Sequence, residues 1–191
     1  MKKIKISISK KGAIIALSVT LFTVLADYFS KILVMENMTL RQSIPIIKNV
    51  FHLTYITNPG AAFGSLAGAR WLFMTASSLL ILVLVALLLF WDDRSTLFYV
   101  STSMVLGGGI GNMIDRLFNG ETFGNGVVID FIDFCAFPEI WKWVFNVADS
   151  FVCVGVALLI ASFVADEVSR AKKHKSLADG SDDGDDEDAE V

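Results

Sequence analysis

Four stretches of the chain, residues 12–34, 70–91, 96–114 and 143–165, stay apolar for about 20 residues with few interruptions. An α-helix needs about that length to cross roughly 30 Å of hydrocarbon at about 1.5 Å per residue, so the pattern predicts four membrane-spanning helices. The first carries Asp27 and Lys31 and the fourth carries Asp149. Between the first two spans, Phe51, Leu53 and Tyr55 alternate with His52 and Thr54, and residues 127–131 alternate again between the last two. A period of two marks strands. Two short strands on one side of the membrane are expected to pair into a small extracytoplasmic sheet. Asn58-Pro59-Gly60 reads as a turn, followed by small residues at 61–65. In the third span, Gly107-Gly108-Gly109-Ile110-Gly111 invites close helix approach and leaves room beside Asn112 and Asp115. Glu139-Ile140-Trp141-Lys142-Trp143 has the aromatic and basic character of an interfacial anchor.

Composition strengthens this picture. The chain of 191 residues is 54% hydrophobic, with a mean hydropathy of +0.60, which suits one mainly α membrane domain of residues 1–169. The net charge of −4 arises in the tail, because residues 179–190 hold eight of the 20 acids and no base. Residues 170–191, basic and then acidic, have almost nothing apolar to bury and are expected to be a disordered cytoplasmic tail. Lys2, Lys3, Lys5, Lys10 and Lys11 precede the first span, and Arg170, Lys172, Lys173 and Lys175 follow the last. The positive-inside rule then puts both termini in the cytoplasm and the loops around 36–69 and 119–140 outside. The basic start, apolar run and Val24-Leu25-Ala26 also resemble a cleavable signal peptide, but the apolar run resumes after Asp27, so a retained helix explains more. Cys135 and Cys153 show no metal-ligand spacing, and no disulfide is expected between them.

Ionisable groups inside spans are costly and face a partner or a cavity. Here they share one depth. Asp27, Ser30 and Lys31 lie on one face of the first helix, Asn112, Asp115 and Arg116 repeat that spacing in the third, and Asn146 and Asp149 stand one to two turns into the fourth. Asn58 and Asp130 belong to the outer loops. All meet at the outer boundary of the bilayer, whereas coupling sites of transporters tend to lie at the midplane. Metal hydrolysis lacks an obvious ligand set, since the histidines are His52 and His174. Ser30 points away from Lys31, and Cys135 has no base at a recognisable spacing. Two carboxylates sharing a site remain, one protonated while the other activates water. Spacing leaves the pair open among Asp27, Asp115, Asp130, Asp133 and Asp149. Ion pairing alone would account for Asp27 with Lys31 and Asp115 with Arg116.

Five blocks in order resemble the lipoprotein signal peptidase (signal peptidase II) family of bacterial membrane aspartyl endopeptidases. They are Asp27 to Lys31, the run from Asn58-Pro59-Gly60 to Gly64, Gly108 through Asn112 to Asp115-Arg116, Val128-Ile129-Asp130-Phe131, and Phe145-Asn146-Val147-Ala148-Asp149. The resemblance implies a catalytic dyad of Asp130 and Asp149. It implies a substrate-binding set of Asn58, Gly60, Asn112, Asp115, Arg116, Asn146 and Ala148, with Asp27 and Lys31 as structural support. It further implies cleavage of diacylglyceryl-modified prolipoproteins just before the lipid-bearing cysteine of a lipobox, at the outer face of the bacterial inner membrane. The expected partners are those substrates and membrane lipids, with no cofactor, no metal, no nucleic acid and a monomeric chain. The chain departs from the family in residues 119–126, which lengthen the link between Arg116 and Asp130 with three glycines and two asparagines and suggest a flexible bulge at the pocket rim. The alternatives are a non-cleaving lipopeptide-binding homologue and a small ion-coupled carrier. Asp133 lies on the opposite face of its strand from Asp130, so Asp133→Asn should retain most cleavage of a lipid-modified substrate under conditions where Asp130→Asn loses it.

Overall fold

The computed structural model describes residues 6–60, 70–91 and 95–179. The small residues at 61–65, the turn at 92–94 and the tail at 180–191 lie outside the described residues. Four helices are long and apolar enough to span a membrane: α1 (Lys10–Asn37), α2 (Arg70–Phe90), α3 (Thr96–Phe118) and α4 (Val147–Asp179). Two begin at serine caps. Ser9 accepts from the Gly12 N–H and Ser95 from the Phe98 N–H, each satisfying a backbone donor that has no carbonyl in the preceding turn.

α3 is the central helix, packed by α4, α1 and α2. In its most apolar window 61% of residues are buried, against 17–22% in the other three, which turn most of their surface outward. Leu17, Leu21 and Phe29 of α1 and Trp71, Leu72 and Leu82 of α2 are exposed. Hydrocarbon is the solvent that such surfaces fit. At one end the core is Phe98, Tyr99, Leu84 and Leu88 around the start of α3.

At the other end lies a four-stranded antiparallel sheet in the order β1 (Ser43–Ile47), β2 (Phe51–Asn58), β3 (Val128–Phe134), β4 (Val144–Phe145). The expected pairing of the two alternating stretches is the β2–β3 pair, with Asn58 opposite Val128, Ile56 opposite Asp130 and His52 opposite Asp133. The two edge strands lacked a sequence signal. β1 contains Pro45, is exposed throughout and does not alternate, which suits an edge that water can finish. β4 was read as the beginning of the fourth span. Hydropathy cannot separate two apolar strand residues from a helix start, and it is pairing to Ile132 and Asp133 that makes Val144 and Phe145 a strand. The sheet packs on the end of α1 through Val34, Met38, Ile129 and Phe131.

Two further differences concern boundaries. α4 starts at Val147 and continues well past the expected end of its span to Asp179. Residues 119–126 form a hydrogen-bonded return instead of a loose bulge. Gly124 N–H donates to the Leu117 carbonyl, Gly126 N–H to Arg116 and Val127 N–H to Asn119, and the Asn119 side chain donates to the Val127 carbonyl at 2.9 Å.

The third-span glycines differ in what they touch. A Cβ at Gly108 would stand 2.5 Å from the Ala148 carbonyl oxygen, and one at Gly111 would stand 2.6 Å from Asp27 Oδ2. At Gly109 the nearest atom would be Ile81 Cγ1 at 3.6 Å, an ordinary contact. Gly108→Ala should therefore lower stability by about 1–3 kcal/mol, the usual cost of overpacking, while Gly109→Ala should be near neutral. Thermal unfolding of the two variants in detergent measures the contrast.

Candidate active site

The expected polar residues converge where α1, α3 and α4 meet β3. Lys31 stands at the centre, 2% exposed, beside Asp27 at 1%. Its ammonium reaches Asp27 Oδ2 at 2.6 Å, Asp115 Oδ2 at 2.9 Å and Asn112 Oδ1 at 3.2 Å. Three protons meet three acceptors. Each carboxylate then reaches another element. Asp27 Oδ1 accepts from the Ala148 N–H at 2.9 Å, fixing α1 to the first turn of α4. Asp115 Oδ2 accepts from the Ile129 N–H at 3.2 Å, fixing α3 to β3. Asp115 is therefore paired with Lys31 and not with its neighbour Arg116. Adjacent helical side chains point about 100° apart, and the Arg116 guanidinium instead donates to the Asn112 carbonyl at 3.0 Å. Its Nε is buried without a partner among the described residues.

Asn146 is not a residue on a helical face, as the spacing suggested, but the cap of α4. Its Oδ1 accepts from the Asp149 N–H at 2.9 Å, and Asp149 Oδ2 accepts from the Asn146 N–H at 3.2 Å. This is a reciprocal capping box with asparagine and aspartate in the cap and third positions. The Asn146 amide nitrogen remains free to donate elsewhere. It lies 2.7 Å from Asp130 Oδ1, 3.0 Å from Asn112 Oδ1 and 3.3 Å from the Ile129 carbonyl. One asparagine thus touches both Asp130 and Asp149. Asn112 completes the frame, donating to Asp149 Oδ1 at 2.7 Å.

Asp130 arrives on β3 and is 2% exposed. Asn58, at the end of β2, donates to its Oδ2 at 3.1 Å. The Asn58 oxygen meanwhile accepts from the Gly60 N–H at 3.0 Å, in a tight turn that needs the positive φ of 101° at Gly60. Burial first, and then the charge of Asp149, push the Asp130 carboxyl up from 3.8 to about 7, against the opposing hydrogen bonds from Asn58 and Asn146. Asp133 points away and accepts from Thr54 at 2.7 Å.

Among the expected substrate-binding residues, Asn58, Asn112 and Asn146 hydrogen-bond Asp130 or Asp149. Ala148 does not. It is wholly buried, with its N–H donated to Asp27, and it positions the first turn of α4. Cys135 and Cys153 are both free. A group that the spacing could not reveal is His52, Asp133 and Cys135, whose ligand atoms lie within 4.8 Å of one another on the sheet.

This geometry can be set beside known proteins. A sequence model described as Signal peptidase (SPase) II matches residues 19–165, about three quarters of the chain. The chain belongs to the signal peptidase II family. A lipoprotein signal peptidase of Halothermothrix orenii is 46% identical over 143 residues, 74% of this chain and 90% of that one. The lipoprotein signal peptidase of Bacillus subtilis strain 168 is 38% identical over 155 residues, 81% of this chain and 96% of that one. A bacterial membrane enzyme solved by the in meso method at 1.9 Å resolution superposes with a TM-score of 0.66 at 28% identity, covering 86% of this chain and 99% of that one. This signal peptidase II family member is therefore a multi-pass membrane peptidase, and its Lys31 network ties α1, α3, α4 and β3 together. Lys31→Met would leave two buried carboxylates without their cation, and should cost about 3–5 kcal/mol. Asp27→Asn should cost less, since Lys31 keeps Asp115. Unfolding in detergent would rank the two, and the reverse order would contradict this account of the network.

Proposed function

We propose that Asp130 and Asp149 are the aspartyl dyad with which this peptidase removes signal peptides from prolipoproteins. The supporting observation is Asn146, whose amide donates to Asp130 while its backbone N–H donates to Asp149. It holds two carboxyl groups at one site. Asp130, with its carboxyl at about 7, keeps a proton near neutral pH. Asp149 sits in the first turn of α4, at the positive end of the helix dipole.

In this reading Asp149 takes a proton from water as its oxygen attacks the scissile carbonyl carbon. Asp130 gives its proton to the carbonyl oxygen, forming a neutral tetrahedral intermediate. As the C–N bond breaks, the proton gained by Asp149 passes to the leaving nitrogen, and the hydroxyl proton of the intermediate returns to Asp130. The products are a signal peptide ending in a carboxylic acid and a lipoprotein with a free amino terminus. Asn58, Asn112, Asn146, Gly60 and the unspent donors of Arg116 are assigned to the substrate backbone and its polar groups.

The site lies at the sheet end of the bundle, away from Lys10 at the start of α1 and Arg170 near the end of α4. The charge rule makes that other end cytoplasmic, so the dyad faces outward. A diacylglyceryl-modified substrate would keep its lipid and signal helix in the bilayer while the peptide just before the lipid-bearing cysteine of the lipobox reaches the aspartates. Every residue in this scheme comes from one copy, so the reaction as drawn needs no second chain.

With purified enzyme and a lipid-modified substrate, Asp130→Asn and Asp149→Asn should each reduce kcat by about 100- to 10,000-fold and leave the unfolding temperature near that of the wild type. Retained turnover in either would refute the dyad. The rate should also fall as pH rises through about 7, because Asp130 then loses the proton it donates. The Asn58 hydrogen bond favours the ionised carboxylate, so Asn58→Ala should move that alkaline limb to higher pH. A shift to lower pH would contradict the assigned proton.

A further inference from the structure

On the face of the sheet away from the dyad, a chain of hydrogen bonds defines the state of one histidine. The Asp133 carboxylate only accepts, so Thr54 must donate its single hydroxyl proton to Oδ2, at 2.7 Å. Ser43, 2.8 Å from the Thr54 hydroxyl, is then the donor of that pair. Having spent its proton, Ser43 can only accept from His52 Nδ1, at 3.2 Å. The neutral ring therefore carries its proton on Nδ1 and a bare lone pair on Nε2. That Nε2 is buried and has no hydrogen-bond partner.

An orphaned imidazole lone pair is unfavourable unless something occupies it. The sheet places two further donors beside the imidazole ring. His52 and Asp133 are direct cross-strand partners, and Cys135 follows two residues later, held to the edge of β2 by its N–H to the Val50 carbonyl at 3.0 Å. An imidazole nitrogen, an Asp133 carboxylate oxygen and the Cys135 sulfur lie within 4.8 Å of one another, and all three residues are half-buried. Ligands of a tetrahedral zinc ion stand about 3.3–3.8 Å apart, given metal–ligand lengths of about 2.0–2.3 Å. Small side-chain rotations close that difference. The thiol, in a 3.7 Å contact with the Asp133 carbonyl, is free of any disulfide.

We propose that His52, Asp133 and Cys135 bind one thiophilic divalent cation of the zinc class, with water in the fourth position. One nitrogen, one oxygen and one sulfur form a donor set that favours zinc over magnesium or calcium. The serine on Nδ1 orients the ring as outer partners of metal-bound histidines do. The ion would tie the end of β3 to β2 and brace the segment from Cys135 to Trp143 against the sheet. It lies apart from Asp130 and Asp149 and takes no part in hydrolysis.

The test is cobalt(II) chloride added to full-length, reduced protein in detergent after chelator dialysis, with absorbance read for thiolate-to-cobalt charge transfer. One equivalent per chain is expected to produce that band, and zinc chloride should bleach it. Cys135→Ser should abolish the band and Cys153→Ser should retain it. His52→Ala and Asp133→Asn should each weaken cobalt binding at least about 10-fold. Retained cleavage of a lipid-modified substrate by Cys135→Ser and His52→Ala checks that these variants are folded. Absence of the band in wild-type protein would overturn the proposal. So would undiminished cobalt binding in Cys135→Ser, or binding that disappears only when Asp130 and Asp149 are replaced.

Discussion

A single ammonium group in a medium that will not solvate it governs this structure. Lys31 is buried among Asp27, Asp115 and Asn112, and its charge is tolerable only because each of its protons has an acceptor. The two carboxylates are constrained in the same way. Asp27 spends its second oxygen on the Ala148 N–H, and Asp115 also binds the Ile129 N–H. One cation therefore fixes the relative positions of α1, α3, α4 and β3. Moving any of these elements would strand a charge or a backbone donor in a low-dielectric interior, where such a loss is several times costlier than at a wet surface.

The placement of Asp130 and Asp149 depends on that frame at one remove. Ala148 and Asp149 are consecutive residues in the first turn of α4, so the bond from Asp27 that holds Ala148 also sets the height of Asp149. Asn146 caps the same turn and reaches across to Asp130. Gly108 and Gly111 permit the approach, because a side chain at either would collide with Ala148 or Asp27. Scaffold and site are thus one polar network. Its outer members hold a charge in place, and its inner members hold two acids near enough for the charge of one to oppose ionisation of the other.

The sheet serves two surfaces. Alternation along β3 sends Asp130 toward the bundle and Asp133 to the opposite face, so one short strand supplies the buried acid and, with His52 and Cys135, a separate donor cluster. The bulge in β2 between Leu53 and Ile56 shifts the register between these sites. Asn58 therefore meets Asp130 while Thr54 meets Asp133.

Much of the fold was legible in the linear pattern, because spanning helices must be apolar for a length set by the bilayer and half-buried strands must alternate. Those rules located four helices and the β2–β3 pair, and the common depth of the polar residues followed from helix direction. Edge strands obey no such rule. β1 does not alternate and β4 is two residues long, so only pairing could define them. The site divides in the same way. Residue types and order pointed to a carboxylate pair near Asn58, Asn112 and Asn146. Distances between elements decided that Lys31 takes Asp115 from Arg116, that Asn146 is a cap between two acids, and that Ala148 is buried. They also decided that His52 meets Asp133 and Cys135 across more than 80 residues of chain. Periodicity is a local consequence of how a helix or strand meets its solvent, and sequence alone carries it. Which buried donor finds which acceptor depends on how separate elements pack, and only the tertiary structure determines that.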